Sequence, residues 1–121
     1  MSQAPESNIL DMHVVQALRE LGGDDEPGLF DEVVELFLTD TKNSVAKLVA
    51  AFEAGDAQAM QRVAHTMKSS SANVGAMRMS KLCFELEKLG RAGSCEGAQA
   101  LVEETCKHFE EVSAALAAMK G

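Results

Sequence analysis

Apolar residues recur at helical spacing through most of this 121-residue chain. In the longest run they return every three or four positions, which keeps them on one face of a helix: Phe30, Val34, Phe37, Thr41, Val45, Leu48 and Phe52. This run predicts a helix of about 27 residues, roughly 40 Å long. A chain with this period must bury its helices against one another.

Four other segments show the same period, and polar caps or glycines mark their predicted ends. We expect Asp11 to cap a short helix that ends at Gly22, and the long helix to end at Gly55. A third helix should cover residues 57–74, between Asp56 and Gly75. A fourth helix should end at Gly93, and Ser94 should cap the last one. The fourth helix is expected to bury Met79, Leu82, Cys83, Leu86 and Leu89.

The connections between these helices are short, which favours antiparallel neighbours. The predicted fold is all-α, an antiparallel up-down-up-down four-helix bundle with a short additional N-terminal helix. We expect residues 9–121 to form this one domain and residues 1–8 to be a flexible tail. Two prolines and the absence of tryptophan and tyrosine fit a helical protein.

Composition excludes several kinds of partner. A net charge of −8 argues against nucleic acid, because phosphate backbones need clustered Lys and Arg. The N-terminal residues lack a secretory signal, and no apolar segment approaches the ~18 residues that span a membrane. Cys83, Cys95 and Cys106 form no paired motif and are typical of reduced thiols. We expect a soluble, cytoplasmic protein, monomeric because its predicted core is complete.

One histidine is expected to face water. On the helix over residues 57–74, Met60, Ala64, Met67, Ser71 and Val74 share one face. His65 projects roughly 100–180° away from them. Beside it on the outer face lie Gln61, Arg62, Lys68, Ser69 and Ala72. An accessible imidazole is a nucleophile near neutral pH, although a solvated surface histidine explains the helical pattern equally well.

A second stripe on the fourth helix supplies partners for this histidine. It consists of Ser80, Phe84, Glu87 and Arg91. If the third and fourth helices pack together, Glu87 and Arg91 approach His65, one turn from Lys68. A carboxylate and two cations around an imidazole suit a phosphoryl group. The plainer alternatives are a surface Glu87 paired with Arg91 along the helix and ordinary surface charges.

The run AHTMKSSSANVGAMRMSKLCFELEKLGR resembles, without a gap, the signature of histidine-containing phosphotransfer (HPt) domains. The resemblance implies that His65 is phosphorylated on Nε2 and that Lys68 and Arg91 neutralise the phosphoryl group. It also implies that Glu87 hydrogen-bonds the other ring nitrogen. Gly75 matches the glycine of the turn that follows the histidine helix.

Two positions depart from the family pattern. Ser69 stands where glycine is usual, one turn after the histidine, and adds a hydroxymethyl group where the partner approaches. Met79 replaces a usual leucine, which is a tolerable exchange in a core.

The resemblance implies a phosphorelay intermediate rather than an enzyme. Such a carrier accepts a phosphoryl group from a receiver-domain aspartyl phosphate and passes it to another receiver aspartate. Its partners would be receiver domains of response regulators or hybrid sensor histidine kinases. Mg²⁺ would belong to the receiver, with no cofactor on this chain. The sequence has no Walker A loop or glycine-rich ATP lid, so no ATP site is expected.

The expected docking surface surrounds His65. Its other members are Gln61, Arg62, Ser69 and Ala72, with Phe84 and Lys88 from the next helix. The alternative function is a helical adaptor that binds a receiver domain or sensor kinase without carrying phosphate.

Overall fold

The computed structural model describes residues 9–22 and 28–120. Within these ranges the chain forms five helices and no strand: α1 (Met12–Gly22), α2 (Leu29–Glu53), α3 (Ala57–Asn73), α4 (Met77–Arg91) and α5 (Gln99–Met119). Helix α2 packs on α3, α3 on α4, α4 on α5, and α5 back on α2. The short α1 packs against α2. The predicted four-helix bundle with an additional N-terminal helix is therefore confirmed.

The long helix buries the face that its apolar period predicts. Five members of the run are inaccessible or nearly so, namely Phe30, Val34, Phe37, Thr41 and Leu48, whereas Val45 and Phe52 are half-buried. The helix has 25 residues, close to the expected length. In contrast, Leu21 at the end of α1 is exposed, so the apolar face of that helix ends before its last turn.

Two predicted boundaries position α3, the helix that carries the histidine. At its start, Asp56 Oδ1 accepts a hydrogen bond from the Ala59 backbone N–H at 3.0 Å, which satisfies a donor that the first turn leaves free. At its end, the Ala76 N–H bonds the Ser71 carbonyl and the Gly75 N–H bonds the Ala72 carbonyl. This pair of bonds needs a left-handed residue, and Gly75 supplies it with φ +85°.

The chain entering α1 packs closely on the turn between α3 and α4. The Asp11 N–H donates to the Gly75 carbonyl at 2.7 Å. A Cβ atom at Gly75 would lie 2.8 Å from the Asp11 carbonyl oxygen, so this contact needs glycine as much as the φ angle does. Within α1, Arg19 donates to the Met119 carbonyl at 2.7 Å and lies over the Phe30 ring. These contacts join the short helix to the start of α2 and the end of α5.

The expected start of the last helix is wrong. Ser94 does not cap it; the Ser94 hydroxyl accepts from the Glu96 N–H at 2.9 Å in a local turn. Gly97 then takes φ +80°, and α5 begins at Gln99 after Ala98. On α4, Leu82 and Leu89 are half-buried rather than buried.

The predicted tail over residues 1–8 lies outside the described residues, and the domain boundary at residue 9 stays a prediction. None of the helices described here is long and apolar enough to cross a membrane.

Candidate functional site

His65 points away from the core. It lies in the middle of α3, and 63% of its side chain is exposed. The residues before and after it on the inner face, Met60, Ala64 and Met67, are fully or almost fully buried. Because successive helical residues are turned by about 100°, burying Ala64 leaves the adjacent imidazole at the surface.

The Glu87 carboxylate lies behind this imidazole and bonds three side chains. Only 2% of the Glu87 side chain is exposed. Its Oε2 lies 2.8 Å from His65 Nδ1 and accepts a 2.8 Å hydrogen bond from Arg91 Nη2. Its Oε1 accepts a 2.8 Å hydrogen bond from Lys68 Nζ. The structure thus brings together the four residues that the sequence placed around a phosphoryl group.

The charge of Glu87 determines which ring nitrogen of His65 carries the proton. The hydrogen bond from Lys68 lowers the pKa of the Glu87 carboxyl; burial raises it, and the hydrogen bond with His65 lowers it, with a net decrease below its ordinary value. The carboxylate is therefore ionised at neutral pH and can only accept hydrogen bonds. His65 Nδ1 must then be the N–H donor, so the lone pair of a neutral ring is on Nε2.

The Nε2 atom is available for reaction. It makes no hydrogen bond within the described parts of the chain. The ring borders an open cleft of about 460 Å³ that is lined by Gln61, Arg62, His65, Thr66, Glu87 and Arg91. A group that approaches through this cleft meets a ring nitrogen with a free lone pair, with Arg62 and Arg91 alongside.

The alternative in which Glu87 is a surface partner of Arg91 is wrong, because Glu87 is buried and bonds two helices. Arg91 does bond Glu87 one turn away, but this is one of three contacts. Lys68 and Arg91 are not isolated surface charges either. Both hold the carboxylate that orients the histidine.

The Phe84 ring on α4 lies between two lysine side chains beside the site. The Phe84 ring is 40% exposed, and Lys68 Nζ and Lys88 Nζ lie 5.2 and 5.0 Å from its centre. These distances fall within the range of cation–π attraction. Phe84 therefore contacts one ammonium group that bonds Glu87 and another, that of the half-exposed Lys88, that pairs with Glu85.

The expected docking residues lie on α3 and α4, the two helices that carry the site, and their role in docking stays a prediction. Gln61 and Arg62 line its cleft. Ser69 is exposed and Ala72 half-buried on the following turns of α3, on the same side of the helix as His65. Phe84 and Lys88 are exposed on α4.

Sequence reasoning missed two residues that join α4 to α3. The Ser80 hydroxyl donates to the Lys68 carbonyl at 2.8 Å. A Cβ atom at Gly90 would lie 2.6 Å from the Ala57 carbonyl oxygen and 2.7 Å from Gln61 Cβ. The available signal was their place on α4, because Ser80 shares a stripe with Glu87 and Gly90 precedes Arg91.

The described residues include no group of three or more His, Cys, Asp or Glu side chains that could hold a metal ion.

Comparisons with known proteins point to one family. The model of the Hpt domain matches residues 32–120. The structure is similar to that of histidine-containing phosphotransfer protein B (HptB) from Pseudomonas aeruginosa PAO1, with 34% identity, a TM-score of 0.84, and coverage of 96% of this chain and 95% of that one. It is also similar to the histidine-containing phosphotransfer protein ZmHP2 from maize, with 25% identity, a TM-score of 0.81, and coverage of 94% and 90%.

A longer protein contains a related segment. The multistep phosphorelay regulator 1 of Schizosaccharomyces pombe is 28% identical over 99 residues, which cover 82% of this chain. The match covers 34% of the yeast protein, so the chain spans about a third of that relative's length.

Proposed function

The chain belongs to the Hpt domain family, and from this premise we propose that it is a phosphorelay intermediate that carries a phosphoryl group on His65. One observation supports this function above all others. The exposed imidazole bonds the buried Glu87 carboxylate through Nδ1, which leaves Nε2 facing solvent with its lone pair.

In the transfer step, the Nε2 lone pair attacks the phosphorus of an aspartyl phosphate on a receiver domain. The N–P bond forms as the P–O bond to the aspartate breaks, and the aspartate leaves as a carboxylate. The Nδ1 proton stays on the ring, where its hydrogen bond to Glu87 stabilises the positive charge that develops on the imidazole. Reversal of the same step on another receiver passes the group on.

Lys68 and Arg91 provide positive charge for the transferred group. Both bond the carboxylate that holds the histidine ring, and Arg91 also lines the cleft that borders the ring. Charge-assisted hydrogen bonds to phosphoryl oxygens are stronger than neutral ones. Arg91, which is 59% exposed, can reach them from the open side of the cleft.

The partners in this proposal are receiver domains of response regulators or of hybrid sensor histidine kinases. The receiver would supply Mg²⁺ and the aspartate, and this chain would act as a monomeric cytoplasmic carrier with no ATP site, cofactor, nucleic acid or membrane of its own. Docking would use Gln61, Arg62, Ser69, Ala72, Phe84 and Lys88, which surround His65. The cationic members, Arg62 and Lys88, suit an acidic receiver surface.

The function is tested by mixing the protein with receiver domains phosphorylated by acetyl phosphate. Wild type should gain a phosphate that is labile in acid and stable in base, and His65→Gln should gain none. Transfer to neither protein would contradict the proposal. If wild type bound a receiver as tightly as His65→Ala and neither gained phosphate, the adaptor function would be the better account.

The two cations are tested separately from the nucleophile. Lys68→Ala and Arg91→Ala should each slow transfer about tenfold or more, since the loss of one charge-assisted hydrogen bond in the transition state is worth about 1.5–3 kcal/mol. Lys107→Ala, an exposed lysine on α5, is the control and should transfer at the wild-type rate. Equal rates in all four proteins would remove the electrostatic role.

A further inference from the structure

The Ser80 hydroxyl makes an unusual connection at this site. It lies on α4 and donates to the backbone carbonyl of Lys68 on α3, at 2.8 Å in a partly buried position. The other hydrogen-bonded hydroxyls on the described helices donate to the carbonyl four residues earlier in their own helix: Thr66, Ser70, Thr105 and Ser113. Ser80 instead forms a bond between two helices.

Lys68 is bonded by α4 at both its backbone and its side chain. Ser80 bonds the carbonyl, and Glu87 bonds the ammonium group at 2.8 Å. Ser80 and Glu87 are seven residues apart, which is about two helical turns or roughly 10 Å along α4. Two contacts at that separation define the position of one helix along the other.

The close contact at Gly90 does not by itself fix the position of α4 along α3. The absence of a side chain there allows α4 to approach the backbone of Ala57 and Gln61 closely, so it determines the distance between the helices. A packing contact has no preferred direction, whereas a hydrogen bond weakens steeply when its angle changes. The Ser80 bond therefore adds what close packing lacks, a directional constraint on sliding and rotation.

We propose that Ser80 is a positioning residue for His65. By donating to the Lys68 carbonyl, its hydroxyl fixes the register of α4 on α3 and keeps the Glu87 carboxylate within hydrogen-bond distance of His65 Nδ1. The register then selects the ring form in which Nδ1 is protonated and Nε2 is the nucleophile. The consequence for transfer rests on the phosphocarrier function proposed above, but the effect on the ring does not.

The direct test is the nitrogen–proton spectrum of the His65 ring, identified by its loss in His65→Gln. Wild type should show a single form with a proton on Nδ1. In Ser80→Ala, exchange of that proton with water should be at least fivefold faster, and the form protonated on Nε2 should appear. Ser80→Thr, which keeps the hydroxyl donor, should restore the wild-type spectrum.

Ser113→Ala is the matched control. Ser113 is also partly buried and donates at 2.7 Å, but to Phe109 within α5. Its removal should leave the ring spectrum unchanged. A Ser80→Ala spectrum identical to wild type would overturn the proposal, as would equal changes in the two variants. If Ser80→Ala does not fold, Ser80→Cys, with a similar volume and a weaker donor, replaces it in the same comparison.

Transfer kinetics provide a second measurement. At saturating phosphorylated receiver, Ser80→Ala should transfer three- to tenfold more slowly, with the half-saturating receiver concentration unchanged. A change in the half-saturating concentration alone would assign Ser80 to docking and contradict the proposal. If wild type accepts no phosphoryl group, the phosphocarrier function fails while the ring spectra still decide the role of Ser80.

Discussion

The Glu87 carboxylate is almost completely withdrawn from water but accepts hydrogen bonds from three side chains. Burying an ionised carboxylate costs several kcal/mol unless partners compensate for the lost hydration. Here Lys68 and Arg91 supply positive charge and His65 supplies a ring N–H. The same bonds that stabilise the buried charge also orient the nucleophile, so stability and reactivity depend on one group.

The contribution of the Glu87 carboxylate to the free energy of unfolding should therefore decrease in acid. The hydrogen bond from Lys68 is the largest cause that lowers the pKa of Glu87 in the folded protein, whereas the pKa of an unfolded glutamate is about 4.3. A lowered folded pKa stabilises the fold above the unfolded value, and the stabilisation is lost as pH falls through the folded value. At neutral pH, Glu87→Gln should reduce the free energy of unfolding by about 1–3 kcal/mol.

The measurement is urea denaturation of both proteins between pH 7 and pH 3. The difference between them should stay constant down to about pH 5 and then shrink, since the glutamine variant has no proton to take up at this position. Glu85→Gln, at a half-exposed carboxylate paired with Lys88 on the same helix, should differ little from wild type at any pH. A pH-independent difference at Glu87 would show that its charge does not stabilise the fold.

The buried Ser71 hydroxyl, unlike the Glu87 carboxylate, should lower the free energy of unfolding. Its hydroxyl is fully buried and has no hydrogen-bond partner in the described structure. An unsatisfied buried polar group costs about 1–3 kcal/mol, so Ser71→Ala should raise the free energy of unfolding by about 1 kcal/mol or more. Ser113→Ala gains the same helix propensity but loses a hydrogen bond, and should raise it by less. Equal changes would mean that Ser71 has a partner, such as an ordered water.

How much of the site the sequence predicts depends on the residue. Helical spacing alone places His65 outside and Ala64 inside, and the shared stripe of Glu87 and Arg91 suggests that both approach it. The burial of Glu87 does not follow from spacing, because it depends on how closely α4 approaches α3. The Ser80 bond was missed for a related reason. A helical serine usually bonds its own helix, and only the packing shows that this one does not.

At the scale of helices, glycines made most boundaries predictable. The ends of α2 and α3 follow from Gly55 and Gly75, which take the positive φ that closes a helix. The start of α5 was mispredicted because Ser94 forms a local turn with Glu96, and Gly97 takes a positive φ before the helix begins. In sequence, a serine in a local turn looks the same as a serine that caps a helix. Only the backbone geometry distinguishes them.

The contact between α3 and α4 depends on Gly90. Alanine has a higher helix propensity than glycine by about 1 kcal/mol, yet its Cβ would lie 2.6 Å from the Ala57 carbonyl oxygen. The two helices would have to separate, so Gly90→Ala should lower the free energy of unfolding by about 1–3 kcal/mol. Because Glu87 lies one turn earlier on α4, transfer through His65 should also slow.

Urea denaturation and single-turnover transfer measure these two effects. Gly28→Ala is the control, since a Cβ there meets no atom within 4 Å; it should change stability by less than about 1 kcal/mol, the typical value of an N-cap position. If Gly90→Ala were as stable and as active as wild type, the close approach of α4 to α3 would not be required.

At the scale of the whole molecule, several basic side chains lie around the site of a chain that is acidic overall. The chain has 19 acidic and 11 basic side chains, but Arg62, Lys68, Lys88 and Arg91 all lie beside His65 or on the neighbouring turns of α4. The site therefore carries positive charge on a chain whose net charge is negative. If the chain is the phosphocarrier proposed above, this positive charge would help to orient an acidic partner on His65.

We expect the core beneath the His65 site to unfold cooperatively. The alkylation rate of Cys83 measures whether it does. Its side chain on α4 is fully buried among the core residues of the bundle, and burial raises the pKa of the thiol to about 12. The thiolate is the reactive form, so alkylation requires exposure to solvent. In a Cys95→Ser/Cys106→Ser variant Cys83 is the only thiol. There, iodoacetamide should react at least about a thousandfold more slowly with folded than with unfolded protein, as expected for a domain stable by about 5 kcal/mol or more.

With increasing urea, the alkylation rate of Cys83 should rise in parallel with the loss of helical circular dichroism. Wild type serves as the control, because the half-buried Cys95 and Cys106 should be alkylated before Cys83 while the helices are intact. Rapid reaction of Cys83 at full helicity would mean that α4 detaches from the bundle on its own. The bonds of Ser80 and Glu87 to α3 would then be transient, and the orientation of His65 could not depend on them.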